Sequence, residues 1–362
     1  MTRAIINLKS LQHNINLVRK ITKNKKILVP VKANAYGHGL VEIARFLEKN
    51  KIDYLAVAFS SEGRKLREKG IKMPILVFGV IDNPQDVLKY NLACTVYSIK
   101  NLRDLEKMAK SYNKKIIVHI NVDTGMGRIG ISPDKVVKIA KKIKSSHNLI
   151  LEGLYTHFAS ADNEKSSYTR SQLSLFNALI KDLNNAGIFI PLIHAANSSG
   201  ILNYSNSYFN MVRPGLMIYG YSPNNKENSV IKPALTLKTK VFHIKTVSSG
   251  TSIGYNNNYR AKKKERIATL PIGYGDGYNR LLSNCGRTII KDKWAPVVGN
   301  ISMDQTTIRI SDETVKRGTD VILIGKSKTK KISVESIAQQ LNTIPYEIVC
   351  NLNNRIKREY KS

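Results

Sequence analysis

Eight short apolar runs recur along the first part of the chain, at residues 27–31, 54–58, 74–78, 92–97, 116–122, 150–156, 189–195 and 209–212. Segments with helical spacing separate them, among them 40–49, 101–110, 133–143 and 171–183. Near-continuous apolar runs are what strands buried on both faces look like, and parallel neighbours need such a crossover between them. Eight strands alternating with helices predict a closed parallel (β/α)8 barrel of the TIM type with its helices outside. Ahead of the first run, residues 7–22 carry apolar positions at helical spacing, with Ser10 read as the N-cap.

After Tyr221 the pattern changes. Residues 222–228 read as a polar, turn-rich linker, and the chain beyond reads mostly as strands, at 235–247, 266–270, 288–290, 296–298, 306–310 and 320–324. Turns rich in Asn, Gly and Asp divide them. One helix is expected over 334–341, capped by Ser333. The prediction is a barrel domain over 1–225 followed by a mostly β domain over 226–362.

Composition narrows the function class. The formal charge is +32, which by itself suggests a polyanion partner. The Lys and Arg residues are spread along the whole chain, however, and no RNA-binding signature, zinc finger or basic zipper accompanies them. No specific nucleic-acid function is expected. Cys94, Cys285 and Cys350 are odd in number and far apart, so they suggest neither a disulfide framework nor a metal site. The first residues lack the apolar segment of a signal peptide, and no run reaches the length of a membrane span. A cytoplasmic location is the expectation.

Barrel enzymes carry their chemistry on the loops after the strands. Lys32 closes the first run, where a lysine either reaches into water or loses hydration and becomes available as a nucleophile or to form an imine with an aldehyde. Arg128 lies in D-T-G-M-G-R-I-G after the fifth run, and His157 ends the sixth in Y-T-H-F-A. Asn197 and Ser198 follow the seventh in H-A-A-N-S-S-G, and Arg213, Gly215 and Leu216 follow the eighth in V-R-P-G-L. The last two loops occupy the usual phosphate position of such barrels. Taken singly, His157 and His194 also read as core histidines, Arg213 as an ion-pair partner, and Ser198 as a helix cap. Their convergence on one rim points to a site.

Gly125, Gly127 and Gly130 spell G-x-G-x-x-G after a strand, with Glu152 at about the spacing of a ribose contact. In a dinucleotide fingerprint the glycines open directly into the helix. Here Ile131 intervenes and Ser132-Pro133-Asp134 starts the helix separately, which argues against a nucleotide dehydrogenase.

Together V-K-A-N-A-Y-G-H-G, V-D-T-G-M-G-R-I-G, H-A-A-N-S-S-G, V-R-P-G, I-G-Y-G-D-G-Y and S-M-D-Q resemble the alanine racemases over nearly the whole chain. The resemblance implies a homodimeric pyridoxal 5'-phosphate enzyme, acting on a small amino acid and supplying D-alanine for the cell wall. It implies that Lys32 holds the cofactor as an imine and serves as one catalytic base. Tyr255, reaching the active site of the partner subunit, serves as the other. A phenol ionises near pH ~10 unless its surroundings shift it, so that base needs tuning. By the same resemblance Tyr36, Ser198, Gly215 and Leu216 hold the phosphate, with Asn197 beside them. Arg213 faces the pyridine nitrogen and His157 packs near the ring. Arg128, Met303 and Asp304 line the substrate position, and no metal is implied. A racemase of broader range, or one preferring serine, is the alternative.

The chain departs from the family at several points. Asn121 stands where many members carry a modified lysine that orients the substrate-binding arginine. Asn256 replaces the glycine after the catalytic tyrosine, Asn300 an arginine, and Asn354 a tyrosine. These positions bear on substrate range and rate.

Overall fold

The structure is a computed structural model that describes residues 1–223 and 228–362. The boundary expected between residues 225 and 226 lies outside the described residues, as does most of the linker around it. Two compact units are present. One comprises residues 15–35 and 40–218, and the other comprises 1–14, 36–39 and 219–362.

The first element is β1 (Arg3–Asn7), followed by a helix over Leu8–Ile21. The helix begins earlier than Ser10 because Asn7 is its cap: the Asn7 side-chain oxygen accepts from the Ser10 N–H at 3.0 Å. Leu11, Ile15 and Val18 form its buried stripe.

In the first unit, β2 (Lys26–Pro30), β3 (Tyr54–Phe59), β4 (Ile75–Val80) and β5 (Ala93–Val96) are joined by β6 (Ile116–Val122), β7 (Leu149–Thr156), β8 (Leu192–His194) and β9 (Met211–Val212). They form a closed parallel barrel in sequence order, shut by β9 pairing with β2 at Lys26–Met211 and Ile27–Val212. The predicted fold class is correct. Leu28, Tyr54, Ala56, Leu76, Ala93, Leu192 and Met211 pack together although they come from six different strands, so they fill the lumen. A larger cluster, including Leu102, Leu105, Val118, Leu151, Leu154 and Phe176, joins barrel and helices. Burial of such side chains contributes about 1.5–3 kcal/mol each.

The other unit is mostly β. Its seven-stranded sheet contains β1, β10 (Leu235–Lys240), β15 (Arg287–Ile290), β16 (Lys293–Pro296), β18 (Asp320–Lys326), β19 (Lys331–Ile332) and β20 (Lys357–Lys361). A second sheet orders β11 (His243–Val247), β14 (Glu265–Leu270) and β17 (Thr306–Ile310), and β12 (Ser252–Ile253) pairs with β13 (Tyr259–Arg260). The single strand read over 235–247 is therefore two strands in different sheets. The helix Val334–Gln340 is capped by Ser333, as expected.

Candidate active site

Lys32 follows β2 half-buried, and the backbone after it does something that propensity does not suggest. Ala33, Asn34, Ala35 and Tyr36 all have φ between 51° and 55°, one turn of left-handed helix without a glycine. Each such residue costs about 1–2 kcal/mol. Local hydrogen bonds offset this. Glu62 Oε1 accepts from the Ala33 N–H at 2.9 Å, and its Oε2 accepts from Ala58 N–H at 2.8 Å. Asn34 Oδ1 accepts from Leu40 N–H at 2.8 Å.

In the mostly β unit, Tyr36 is buried, with its ring 5.0 Å from that of Tyr219 and 5.8 Å from that of Tyr346. Burial pushes its phenol well above the ordinary range, so the hydroxyl stays protonated. Gly37 beside it has φ +78°, and a Cβ there would lie 2.0 Å from the Val349 carbonyl oxygen. Only glycine fits.

Arg213 is the centre of the barrel rim. It is 3% exposed and donates through Nη1 to His194 Nδ1 at 2.9 Å. Its Nη2 donates to Thr156 O at 2.7 Å, Ala195 O at 2.9 Å and His157 Nδ1 at 3.3 Å. The Tyr155 ring lies 5.3 Å from the guanidinium and stacks on His194 at 4.9 Å. Burial lowers the Arg213 pKa to about 10, so it remains a cation at neutral pH. Burial, then Arg213, Arg128 and Lys32, push His157 down to about 3. His157 is thus a neutral imidazole surrounded by cations.

Ser198 is buried, and its Oγ accepts from the N–H groups of Gly215 at 3.0 Å and Met217 at 3.2 Å. It does not cap the helix Ser198–Asn203. Asn197 does, accepting from Gly200 N–H at 2.9 Å. Leu216 is fully buried just beyond.

Arg128 is exposed on a loop whose neck is closed by Asp123 N–H to Ile131 O and Ile131 N–H to Asn121 O, at 3.0 and 2.8 Å. The loop closes on itself, and the next helix starts only at Pro133, so the glycine triplet is no dinucleotide fingerprint. The buried Asn121 amide donates to the Ile129 carbonyl at 3.2 Å. The amide braces the loop backbone next to Arg128.

Tyr255 is 68% exposed in the mostly β unit, followed by Asn256 at φ 60° and Asn257 at φ 53°. Asparagine tolerates this left-handed geometry better than most residues, so both positions suit the side chains they carry. Asn300 is buried; it donates to the Tyr255 carbonyl at 3.0 Å and accepts from Asn258 at 3.1 Å. Met303 is 54% exposed, and Asp304 pairs with Arg355 at 2.7 Å. Asn354 is exposed.

Glu62, Tyr155 and Arg355 escaped the sequence reading. Arg355 carries no signal in the sequence, since Asp276 and Asp304 are distant along the chain. Glu62 stands where a carboxylate at a helix start takes the local Ala58 and Phe59 N–H groups, but its contact with Ala33 is non-local and has no signal. Tyr155 lies near the end of β7, two residues before His157 on the loop that follows, and that proximity could have found it.

A family model described as the N-terminal domain of alanine racemase matches residues 6–223, and one described as the C-terminal domain matches residues 234–360. An alanine racemase from Halothermothrix orenii is 44% identical over an alignment covering 100% of this chain and 97% of that protein. The solved alanine racemase of Clostridium difficile 630 is 38% identical with a TM-score of 0.93, covering 99% of this chain and 95% of that one. The structure from Bartonella henselae, an alanine racemase with covalently bound pyridoxal phosphate, is 28% identical with a TM-score of 0.88 and covers 99% of both chains. Barrel, β unit and these likenesses define an amino-acid racemase, an isomerase. Within that class, the chain belongs to the alanine racemase family.

Proposed function

We propose that this chain interconverts L- and D-alanine with bound pyridoxal phosphate, using Lys32 and Tyr255 as bases on opposite faces of the substrate. The similarity to alanine racemases along the full chain carries this reading. The residues present fit the cofactor. Both lone pairs of Ser198 Oγ receive backbone N–H groups, so the hydrogen of its own hydroxyl is left to give to a phosphate ester. Tyr36, Gly215 and Leu216 would complete the phosphate contacts, with Asn197 holding the helix behind Ser198. Arg213, fixed as a cation, would face the pyridine nitrogen and oppose its protonation, and neutral His157 would pack beside the ring.

When bound, pyridoxal phosphate supplies an aldehyde carbon that joins the substrate amine and a conjugated ring that draws electron density from the Cα–H bond. Lys32 Nζ removes or returns the proton at Cα on one face. Tyr255 Oη, contributed by a second copy of the chain, does so on the other, consistent with its exposure. Arg128 binds the substrate carboxylate, and Met303 and Asp304 bound the pocket. The active form is a homodimer in the cytoplasm, making D-alanine for peptidoglycan.

The test is turnover of L-alanine in deuterium oxide by wild type, Lys32→Ala and Tyr255→Phe. Wild type should bind the cofactor and release deuterated D-alanine. Lys32→Ala should lose racemisation and the absorbance of the lysine-bound cofactor, whereas Tyr255→Phe should lose racemisation alone. Mixing the two inactive variants should restore activity through hybrid dimers. A wild type that binds no cofactor overturns the reading.

A further inference from the structure

The hydrogen bond from Arg213 to His194 is the first of a chain that runs through the barrel lumen. His194 Nε2 lies 3.1 Å from His119 Nδ1, and His119 Nε2 lies 3.0 Å from Glu152 Oε2. The Tyr54 hydroxyl donates to the same carboxylate oxygen at 2.8 Å. Glu152 has 29% of its side chain accessible, while both histidines are fully buried.

The ends of this chain fix its polarity. Arginine has only hydrogens to give and an ionised carboxylate has none. His194 Nδ1 must therefore accept from Arg213, which puts its proton on Nε2, donating to His119 Nδ1. His119 in turn carries its proton on Nε2 and donates it to Glu152. Both imidazoles are neutral, burial lowering their pKa values, and the hydrogen bond from His119 keeps Glu152 below the usual carboxylate range. Every ring nitrogen has one role.

A second feature shows that the fold makes room for this arrangement. His119 lies opposite Gly153, where the β6–β7 register shifts between Val118 and His119. A Cβ at Gly153 would sit 2.0 Å from His119 Nδ1. A glycine inside a strand weakens it, and here it clears the space that the ring occupies.

We propose that Glu152, acting through His119 and His194, is a positioning residue for Arg213. It selects the imidazole tautomers that offer Arg213 an acceptor and so holds the guanidinium in place. The inference rests on the reading of Arg213 as the residue that faces the cofactor ring. With Glu152 gone, His119 loses the acceptor that fixes its proton on Nε2. Reversed tautomers would set His194 Nδ1–H against Arg213 Nη1–H, two donors facing each other.

The experiment uses the full chain labelled with 15N-histidine, with and without pyridoxal phosphate. Wild type should show His119 and His194 protonated on Nε2 in both states. Glu152→Ala should lose that single tautomer pair and lower kcat about 10- to 100-fold, the effect of a lost hydrogen bond to a charged group, with KM for alanine little changed. Glu152→Gln keeps an acceptor oxygen and a donor, so its kcat should follow the tautomers it displays: near wild type if they persist, near the alanine variant if they reverse. Wild-type His194 protonated on Nδ1 overturns the proposal. So does Glu152→Ala with kcat within about twofold of wild type, and so does a lost kcat with unchanged tautomers. The spectra are read on the cofactor-free chain as well, so a protein that failed to racemise alanine would refute the proposed function while leaving the tautomer result legible.

Discussion

The Glu62 carboxylate, on the helix after β3, holds the Ala33 N–H at 2.9 Å and thereby ties down the left-handed turn that follows Lys32. The same carboxylate takes Ala58 N–H at 2.8 Å and Phe59 N–H at 3.3 Å. Replacing Glu62 by Ala leaves the turn without its tether and three N–H groups to be satisfied by water. Glu62 is half-buried, so part of the loss is made good by solvent. We expect Glu62→Ala to lower stability by about 2 kcal/mol and to weaken cofactor retention at Lys32. Urea unfolding and the cofactor absorbance measure the two effects, and an unchanged unfolding midpoint would count against the tether.

That turn marks where the sequence stops being readable. K-A-N-A-Y is rich in alanine and by propensity suggests an ordinary helix, because left-handed backbone is expected of glycine. What selects the other hand includes a carboxylate from the next strand–helix unit, a non-local contact. The barrel strands were legible because most of their residues are buried and so read as near-continuous apolar runs. The edge strand β20 was not, since Lys-Arg-Glu-Tyr-Lys shows no apolar alternation. The rim residues were found because polar groups stand out at the ends of apolar runs. His119 was passed over inside I-I-V-H-I-N-V, where its partners could not be seen. Tyr255 carries no physical signal and was named only by resemblance.

Gly37 tests how closely the glycine-rich segment is packed. A methyl group there meets the Val349 carbonyl oxygen at 2.0 Å, and φ is +78°, so both space and backbone oppose a side chain. The obstacle is backbone that cannot swing aside. Gly37→Ala should cost about 3 kcal/mol or more, or prevent folding, as read from the thermal midpoint and the soluble yield. Gly70→Ala is the comparison, since φ there is +85° with open space around it. Its loss should be limited to backbone strain of about 1–2 kcal/mol.

Asn256 should separate conformation from chemistry at the Tyr255 loop. At φ 60° a glycine is at ease, asparagine is tolerated and alanine is strained by about 1 kcal/mol. Asn256→Gly should therefore retain kcat, and Asn256→Ala should reduce it several-fold as the loop relaxes and Tyr255 moves. Asn300→Ala removes the amide that holds the Tyr255 carbonyl and should act in the same direction. Steady-state kinetics decide the matter. Equal kcat in the Gly and Ala variants would mean that the backbone at Asn256 does not set the position of Tyr255.

Acid should weaken the fold in two separate ranges. His157 titrates at about 3 in the folded chain, against 6.5 when unperturbed, and His119 and His194 are lowered as well. As pH falls below about 6.5 the unfolded chain takes up protons at these histidines, while the folded chain does not. The unfolded state then binds more protons, so stability falls with pH through this range. Asp82 acts lower: burial alone would raise its pKa, but hydrogen bonds from Ser60 and Ser61 outweigh that and hold it at about 2. Its contribution persists above its unfolded value near 3.8 and is lost as pH falls towards 2. Urea midpoints of the cofactor-free chain should therefore decline already between pH 7 and 5, where ordinary carboxylates stay ionised. His157→Asn should make that decline shallower without changing the steeper loss below pH ~4. A midpoint that stays flat from pH 7 to 5 would mean that these histidines take up protons in the folded barrel as easily as in the unfolded chain.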